Sequence, residues 1–213
     1  MGIDDHSRKG APGADRPIAA FDFDGTLTVR DSFWAFLTWR NDTHRLILGL
    51  IRLTPAILHW LWKRDRGRLK ASFVREFLSG LTTLELEAEA QRFADASADR
   101  LLRPDALLAW GEWGARGACR VIVTASPEPI VRPFAQKLAA DRLLGTRLAV
   151  DGEGRITGPL DGENCRGPEK VRRLEAAFGQ DLRLAAAYGD TDGDREMLAI
   201  ADQAGFQVFK AEP

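Results

Sequence analysis

Apolar positions change their period along this chain. "IAAFDF", residues 18–23, is a short apolar run that leads into Asp and Gly, which predicts a buried strand with chemistry at its carboxyl end. No strand pattern follows between about residues 31 and 103. "DSFWAFLTWRND" offers Asp31 or Ser32 as an N-cap ahead of apolar residues at helical spacing. "HRLILGLIRLTPAILHWLWKR" is strongly apolar around Pro55, and "DRGRLKASFVREFLSG" and "TTLELEAEAQRFADASADRLLR" have the spacing of amphipathic helices.

Strand and helix signals alternate from residue 104 onward. "PDALLAWGEWGARG" predicts a helix opened by Pro104 and closed by Gly117. "ACRVIVTAS" predicts a strand over 118–124, and "PEPIVRPFAQKLA" a helix. "GTRLAVDGEGRITG" predicts a strand and hairpin turning at Asp151-Gly152. A helix from Pro168 to Gly179, a strand in "LRLAAAYGD", a helix in "DGDREMLAIAD" and a last strand in "AGFQVF" complete the series. Such alternation argues for an α/β fold: a doubly wound, Rossmann-like parallel sheet whose site lies beyond the carboxyl ends of the strands. The predicted organisation is a flexible N-terminus over 1–17, an α/β core from 18–30 and 104–213, and an inserted helical cap over 31–103. The insert departs directly beside Asp22 and Asp24, where it can form a lid.

Composition narrows the functional classes. The chain has 213 residues, 45% apolar and 29% charged, with a net charge of −1, so it carries no electrostatic case for nucleic acid as a partner. Its two cysteines, Cys119 and Cys165, lack ligand spacing and fit a reducing cytoplasm. The three histidines are scattered, which argues against a histidine-built zinc site.

Carboxylates stand at the strand ends. Asp22 and Asp24 are two apart, so on a continuing strand they project to one side. Two such groups repel each other unless one is protonated or a cation joins them. Thr124 closes "VIVT"; Asp190 and Asp194 lie in "GDTDGD"; Lys170 sits in the first turn of a predicted helix, where the helix dipole disfavours a cation. A calcium loop does not fit, because the positions that need Gly and Glu, counted from Asp22, hold Leu27 and Phe33. An oxygen-rich, sulfur-free set suits Mg²⁺ shared with a phosphate.

These residues resemble the motifs of the haloacid dehalogenase superfamily of phosphohydrolases, in order: "DFDGT", a Thr after a hydrophobic strand, a Lys, and "GDxxxD". The helical insert resembles the phosphoserine-phosphatase-like branch, subfamily IB. "DSFWAFL", "TASPEPIVRPFA" and "CRGPEKVRRL" resemble a bacterial group that includes a phosphatidylglycerophosphate phosphatase. The resemblance implies Asp22 as nucleophile, forming an aspartyl-phosphate, and Asp24 as general acid and then base. It implies Thr124 and Lys170 as holders of the phosphoryl oxygens. Mg²⁺ would be bound by Asp22, the main-chain carbonyl of Asp24 and Asp190, with Asp194 a further acidic member whose alternative is a plain helix-terminal charge.

Substrate choice falls to the insert and the pocket around Asp31, Gly25, Ala125 and Ser126. Asp31 stands where phosphoserine phosphatases have a Glu that reads the substrate amine. Gly25, "TAS" and Gly193 depart from those enzymes, which counts against phosphoserine. "LILGLIRLTPAILHWLW", residues 46–62, reads as too short and interrupted to span a bilayer, and "KRDRGRLK" after it holds five basic residues and one acid. Two placements stay open: a buried helical hairpin inside the cap, or peripheral contact of residues 46–70 with the inner face of a membrane. The readings that follow are a phosphomonoesterase of a lipid phosphate, a phosphatase of a soluble metabolite such as phosphoserine, a phosphomutase, and a membrane-peripheral binding protein with a vestigial site. Oligomeric state is not legible.

Overall fold

The computed structural model describes residues 16–213. The flexible N-terminus expected over 1–17 therefore lies mostly outside the described residues. Of its last two residues, Arg16 donates to the carbonyls of Gly117 and Ala118 at 2.9 Å, and the carbonyl of Pro17 accepts from the amide of Cys119.

A five-stranded, all-parallel sheet forms the centre, in the order β3-β2-β1-β6-β7. Its strands are β1 (Ile18–Phe21), β2 (Cys119–Pro127), β3 (Arg142–Thr146), β6 (Leu184–Gly189) and β7 (Ala201–Phe206). A separate antiparallel ribbon pairs β4 (Leu148–Val150) with β5 (Ile156–Leu160). Helices α5 (Pro104–Ala115), α6 (Glu128–Lys137), α7 (Pro168–Phe178) and the short α8 (Arg195–Ala199) complete the doubly wound fold. Side chains alternate between two cores, as a sheet covered on both faces requires. Ala19, Phe21 and Ile122 join Trp110 and Phe134 on one face; Ile18, Ala20, Val121 and Val123 join Leu174 and Met197 on the other.

Four helices occupy the stretch between the first strand and α5. They are α1 (Ser32–Arg40), α2 (Thr43–Lys63), α3 (Arg66–Leu78) and α4 (Thr83–Leu101). Each begins at a side-chain cap. Asp31, Asp42 and Asp65 accept from backbone amides of the first turns, and Thr82 with Glu85 forms a capping box. The base of this insert is fused to the sheet by stacked aromatics. Phe93 of α4 meets Phe36 of α1 at 5.5 Å and Phe134 of α6 at 5.7 Å, and Phe134 meets Phe23 at 5.4 Å. The β4–β5 ribbon braces the upper part. Gly158, at φ +107°, brings it so close that a Cβ there would stand 3.0 Å from the Cα of Arg75 on α3.

Several expected elements shift. The first strand ends at Phe21, and Phe23–Leu27 is a tight turn with non-helical Asp24 and Gly25 inside. Strand alternation therefore does not place Asp24; the turn does. The second strand runs on through Thr124, Ala125 and Ser126 to Pro127. The expected hairpin turning at Asp151-Gly152 is the β4–β5 ribbon, and the sheet strand β3 lies ahead of it, overlapping the expected element only at Gly145 and Thr146. The last strand covers 201–206 rather than "AGFQVF", because the helix before it stops at Ala199. The apolar segment is neither a hairpin nor interrupted: α2 is one helix of 21 residues running through Pro55. Only Gly49 and Leu53 of it are buried, so burial inside the insert does not account for its composition.

Phe93→Ala should cost about 3–5 kcal/mol, since it leaves a cavity where three aromatic contacts meet. Urea denaturation would read this as a lower midpoint at an unchanged slope.

Candidate active site

The sheet order reverses between β1 and β6: β1 connects outward to β2 and β3, while β6 and β7 build the other side. At such a switch point the loops after neighbouring strands diverge and leave a crevice. Phe21 pairs with Ile122 and with Tyr188, so Asp22 lies one residue past both pairs, and its amide donates to the Tyr188 carbonyl at 2.9 Å. The same ends carry Thr124 and, after Gly189, Asp190.

Lys170 joins these ends. It is the third residue of α7 and is 1% exposed. Its Nζ donates to Asp22 Oδ1 at 2.6 Å, Asp194 Oδ1 at 2.6 Å and the Val123 carbonyl at 2.7 Å. Burial alone would lower the pKa of this ammonium; the two carboxylates outweigh burial and hold it above its ordinary value. Burial pushes the Asp22 carboxyl up to about 8 against the pull of Lys170, with Asp194 and Asp24 adding to the rise.

Asp194 is 1% exposed and engaged at both oxygens. Oδ1 takes Lys170, and Oδ2 accepts from the Thr191 amide at 2.9 Å, the Thr191 hydroxyl at 3.0 Å and the Asp190 amide at 3.2 Å. Burial would raise its pKa, but Lys170 and these donors hold it below the usual carboxylate value. Asp194 thus fixes the loop that carries Asp190. Asp190 Oδ1, by contrast, is buried without a hydrogen-bond partner among the described residues.

Asp24 faces a different set of partners. Its Oδ1 accepts from the Ser32 amide at 2.7 Å, and its Oδ2 from the Ser126 hydroxyl at 2.5 Å. Thr124 is fully buried; its hydroxyl oxygen accepts from the Ser126 amide at 3.0 Å, and Thr124 does not line the cavity. Asp31 lines the cavity, and its carboxylate accepts from the Trp34 amide at 2.7 Å as the cap of α1.

The cavity, about 880 Å³, has Asp22, Asp24, Gly25, Ala125, Lys170 and Asp190 at its floor. The insert lines it mainly with the apolar Phe33, Trp34, Leu37, Trp60, Leu69 and Phe73, beside the charged Asp31 and Arg66. Lys70 of α3 also enters it, donates to the Ala125 carbonyl, and has its pKa lowered by burial against the pull of Asp24 and Asp31. Sequence reading placed Lys70 in a basic surface run and missed it as a site residue. The available signal was its position on the inward stripe with Phe73, Val74 and Phe77.

The acidic cluster fits a hard divalent cation. One carboxylate oxygen each of Asp22, Asp190 and Asp194 lies within 4.8 Å of the others, and Asp190 is also the residue whose Oδ1 lacks a partner among the described residues. The donors are carboxylate oxygens, as Mg²⁺ prefers. Asp24 contributes no side-chain oxygen to the cluster.

Residues 19–199 match the family signature of haloacid dehalogenase-like hydrolases. The chain belongs to that family. Protein CicA of Caulobacter vibrioides is 56% identical over 204 residues, covering 96% of this chain and 91% of that protein. A "Probable phosphatase" of Mycobacterium tuberculosis is 37% identical over 87 residues, covering 39% of this chain and 30% of that protein. The fold is shared with a protein of unknown function from Bordetella pertussis Tohama I (TM-score 0.73, 23% identity, 86% of each chain). It is also shared with phosphoserine phosphatase in apo form (TM-score 0.57, 20% identity, 90% of this chain and 86% of that one). Among haloacid dehalogenase-like hydrolases the strand-end acidic floor is thus built here on Asp22, Lys170 and the Asp190 loop.

Gly25 is a sensitive point of that floor. Its φ is +79°, and a Cβ there would stand 2.1 Å from Asp190 Oδ2. Gly25→Ala should displace Asp190 and weaken Mg²⁺ binding about 10–100-fold in a calorimetric titration.

Proposed function

We propose that this hydrolase is a Mg²⁺-dependent phosphomonoesterase that acts through an aspartyl-phosphate on Asp22. What carries the reading is the separation of two neighbouring carboxylates: Asp22 belongs to Lys170 and the acidic cluster, whereas Asp24 is held by Ser32 and Ser126 outside it. The phosphorus of the substrate is attacked by the Asp22 carboxylate, and the bond to the leaving oxygen breaks as Asp24 gives that oxygen its proton. Asp24, now ionised, takes a proton from the water that cleaves the phosphoryl–Asp22 bond, and inorganic phosphate leaves. Lys170 orients Asp22 and neutralises charge on the phosphoryl oxygens. Mg²⁺ held by Asp22 and Asp190 would supply the positive charge that keeps Asp22 ionised, which its raised pKa otherwise opposes, and would draw charge from the transferring group. Asp194 acts as a positioning residue, and Thr124 fixes Ser126 through the hydroxyl–amide bond.

The substrate class we infer is a lipid-like phosphomonoester, such as phosphatidylglycerophosphate. The apolar lining from the insert supplies room for a hydrocarbon body, and Lys70, Arg66 and Arg166 supply positive charge beyond what one phosphoryl group uses. Helices α1–α4 would then act as a cap that sets specificity. A second reading, a soluble amine-bearing phosphate such as phosphoserine, is favoured by the Asp31 carboxylate in the cavity wall.

An aryl phosphate with Mg²⁺ should be hydrolysed, and either chelator or Asp22→Asn should abolish turnover; activity that survives both would overturn the mechanism. Asp24→Asn should release the aryl alcohol in a stoichiometric burst and then stall as a phosphoenzyme, because a good leaving group needs no acid but the second step lacks its base. Rapid-quench kinetics would show that burst. Lys70→Ala should raise KM for a phosphate monoester carrying a second anionic group at least about tenfold, with kcat little changed, while a simple aryl phosphate is unaffected. Preference for phosphoserine over all lipid phosphates would instead establish the second reading.

A further inference from the structure

The outer face of α2 is an apolar stripe that the fold leaves uncovered. Ile47, Ile51, Leu58, Leu61 and Trp62 recur at helical spacing and are 52%, 62%, 60%, 50% and 78% exposed. The opposite face is occupied. Gly49 packs so closely on Phe77 of α3 that a Cβ would stand 2.3 Å from its ring, and Arg45 donates to Glu76 at 2.7 Å. The stripe is therefore available while its helix is held in the fold.

Charge around the stripe is mostly of one sign, with Asp65 the one acid in the run 63–70. No Asp or Glu occurs between residues 43 and 64. At the carboxyl end of α2 and the start of α3, Lys63, Arg64, Arg66 and Arg68 are exposed, and among the described residues none of them forms a salt bridge with a carboxylate. Lys63 lies over the Trp62 ring and Arg64 over Trp60. Aromatic rings beside lysine and arginine, next to an aliphatic stripe, match the headgroup boundary of an anionic bilayer. A helix of 21 residues is also long enough to cross a bilayer, at about 1.5 Å per residue. Crossing would take Arg52 into hydrocarbon and break the pairing of Arg45 and Arg52 with Glu76 of α3.

We propose that α2 lies on the surface of an anionic membrane, outer stripe down, with the basic α2–α3 junction on the headgroups. Trp60 and Arg66 of this junction also line the cavity, so docking sets the site's mouth beside the bilayer. Docking itself does not depend on the catalytic reading; the delivery of a lipid phosphate to the cavity rests on the function proposed above.

The full chain should co-float with vesicles containing phosphatidylglycerol and not with pure phosphatidylcholine. Ile51→Glu with Leu58→Glu should reduce that binding at least about tenfold. Hydrolysis of a soluble aryl phosphate should stay within about twofold of wild type, which also reports that the variant is folded. Trp62→Ala, an exposed position, should weaken vesicle binding in the same direction and serves if the double variant fails to fold. Absence of vesicle binding, or binding indifferent to both variants, would overturn the proposal. So would a sedimentation result in which the wild type is a dimer, the double variant a monomer, and neither binds vesicles, for the stripe would then join two copies of the chain. Vesicle binding without any phosphatase activity would overturn the catalytic reading and leave the docking face standing.

Discussion

The ammonium of Lys170 is the constraint on which the site depends. Asp22, Asp190 and Asp194 offer oxygens within 4.8 Å of one another, in a place where Asp22 and Asp194 are almost fully shielded from water. Without a cation such a cluster cannot stay ionised, because neither water nor distance separates the charges. Lys170 supplies one positive charge from within the chain and fixes three elements at once: the end of β1 through Asp22, β2 through the Val123 carbonyl, and the loop after β6 through Asp194. Local sequence serves that bond. Gly167, at φ +59°, and Pro168 start α7 where its third residue reaches the sheet ends, and Gly189 leaves the space that Asp194 fills, since a Cβ there would stand 2.4 Å from the Cβ of Asp194. One ammonium among three carboxylates leaves the cluster short of positive charge, and Asp190 Oδ1 has no hydrogen-bond partner among the described residues.

Asp24 shows how the insert enters the chemistry. Its carboxylate accepts from the amide of Ser32, the first residue of α1, so the positive end of that helix faces a negative group. It also accepts from Ser126, whose amide in turn bonds Thr124. Asp24, the acid and base of the proposed mechanism, is therefore tied to both the first insert helix and the second strand. Because α1 is fused through Phe36 and Phe93 to α6, this part of the insert is a rigid extension of the core. Lys70 comes from the outer pair, α2 and α3, and touches the core floor at the Ala125 carbonyl. The two halves of the insert thus contact the site differently, the inner one through the acid and the outer one through a cation.

Much of this was legible in the sequence, for definable reasons. The alternation after residue 104 reports strands buried on both faces, and the acids at their ends stand out because a run such as "IAAF" tolerates no charge until it stops. Asp22, Lys170 and Asp190 could be read from residue type and order. The conformation at Asp24 could not, because period-2 reasoning assumes that the strand continues, and here it ends at Phe21 in a turn set by Gly25. Lys70 was concealed among five basic residues, since a charge cluster looks like a solvated face until tertiary closure turns one member inward. The strand β3 was hidden for a related reason: as an edge strand it buries too little for a clean pattern, and its outward residues read as loop.

The same reasoning explains why α2 resisted a single reading. A helix in a soluble cap normally exposes polar residues where it does not pack, and its composition then reveals which face is buried. In α2 the buried face is narrow, centred on Gly49 and Leu53, and α3 meets it through Phe77 and the Arg45–Glu76 pair. Apolar residues nevertheless continue around to the exposed side, while the charges gather at the junction with α3. Ile47, Ile51, Leu58 and Leu61 are half or more exposed, so packing of the insert alone does not explain why all four are apolar. A composition that the fold does not need has to be explained by what lies outside it, and the basic, aromatic end of the helix, set at the rim of the catalytic cavity, gives that outside surface a charge and a direction.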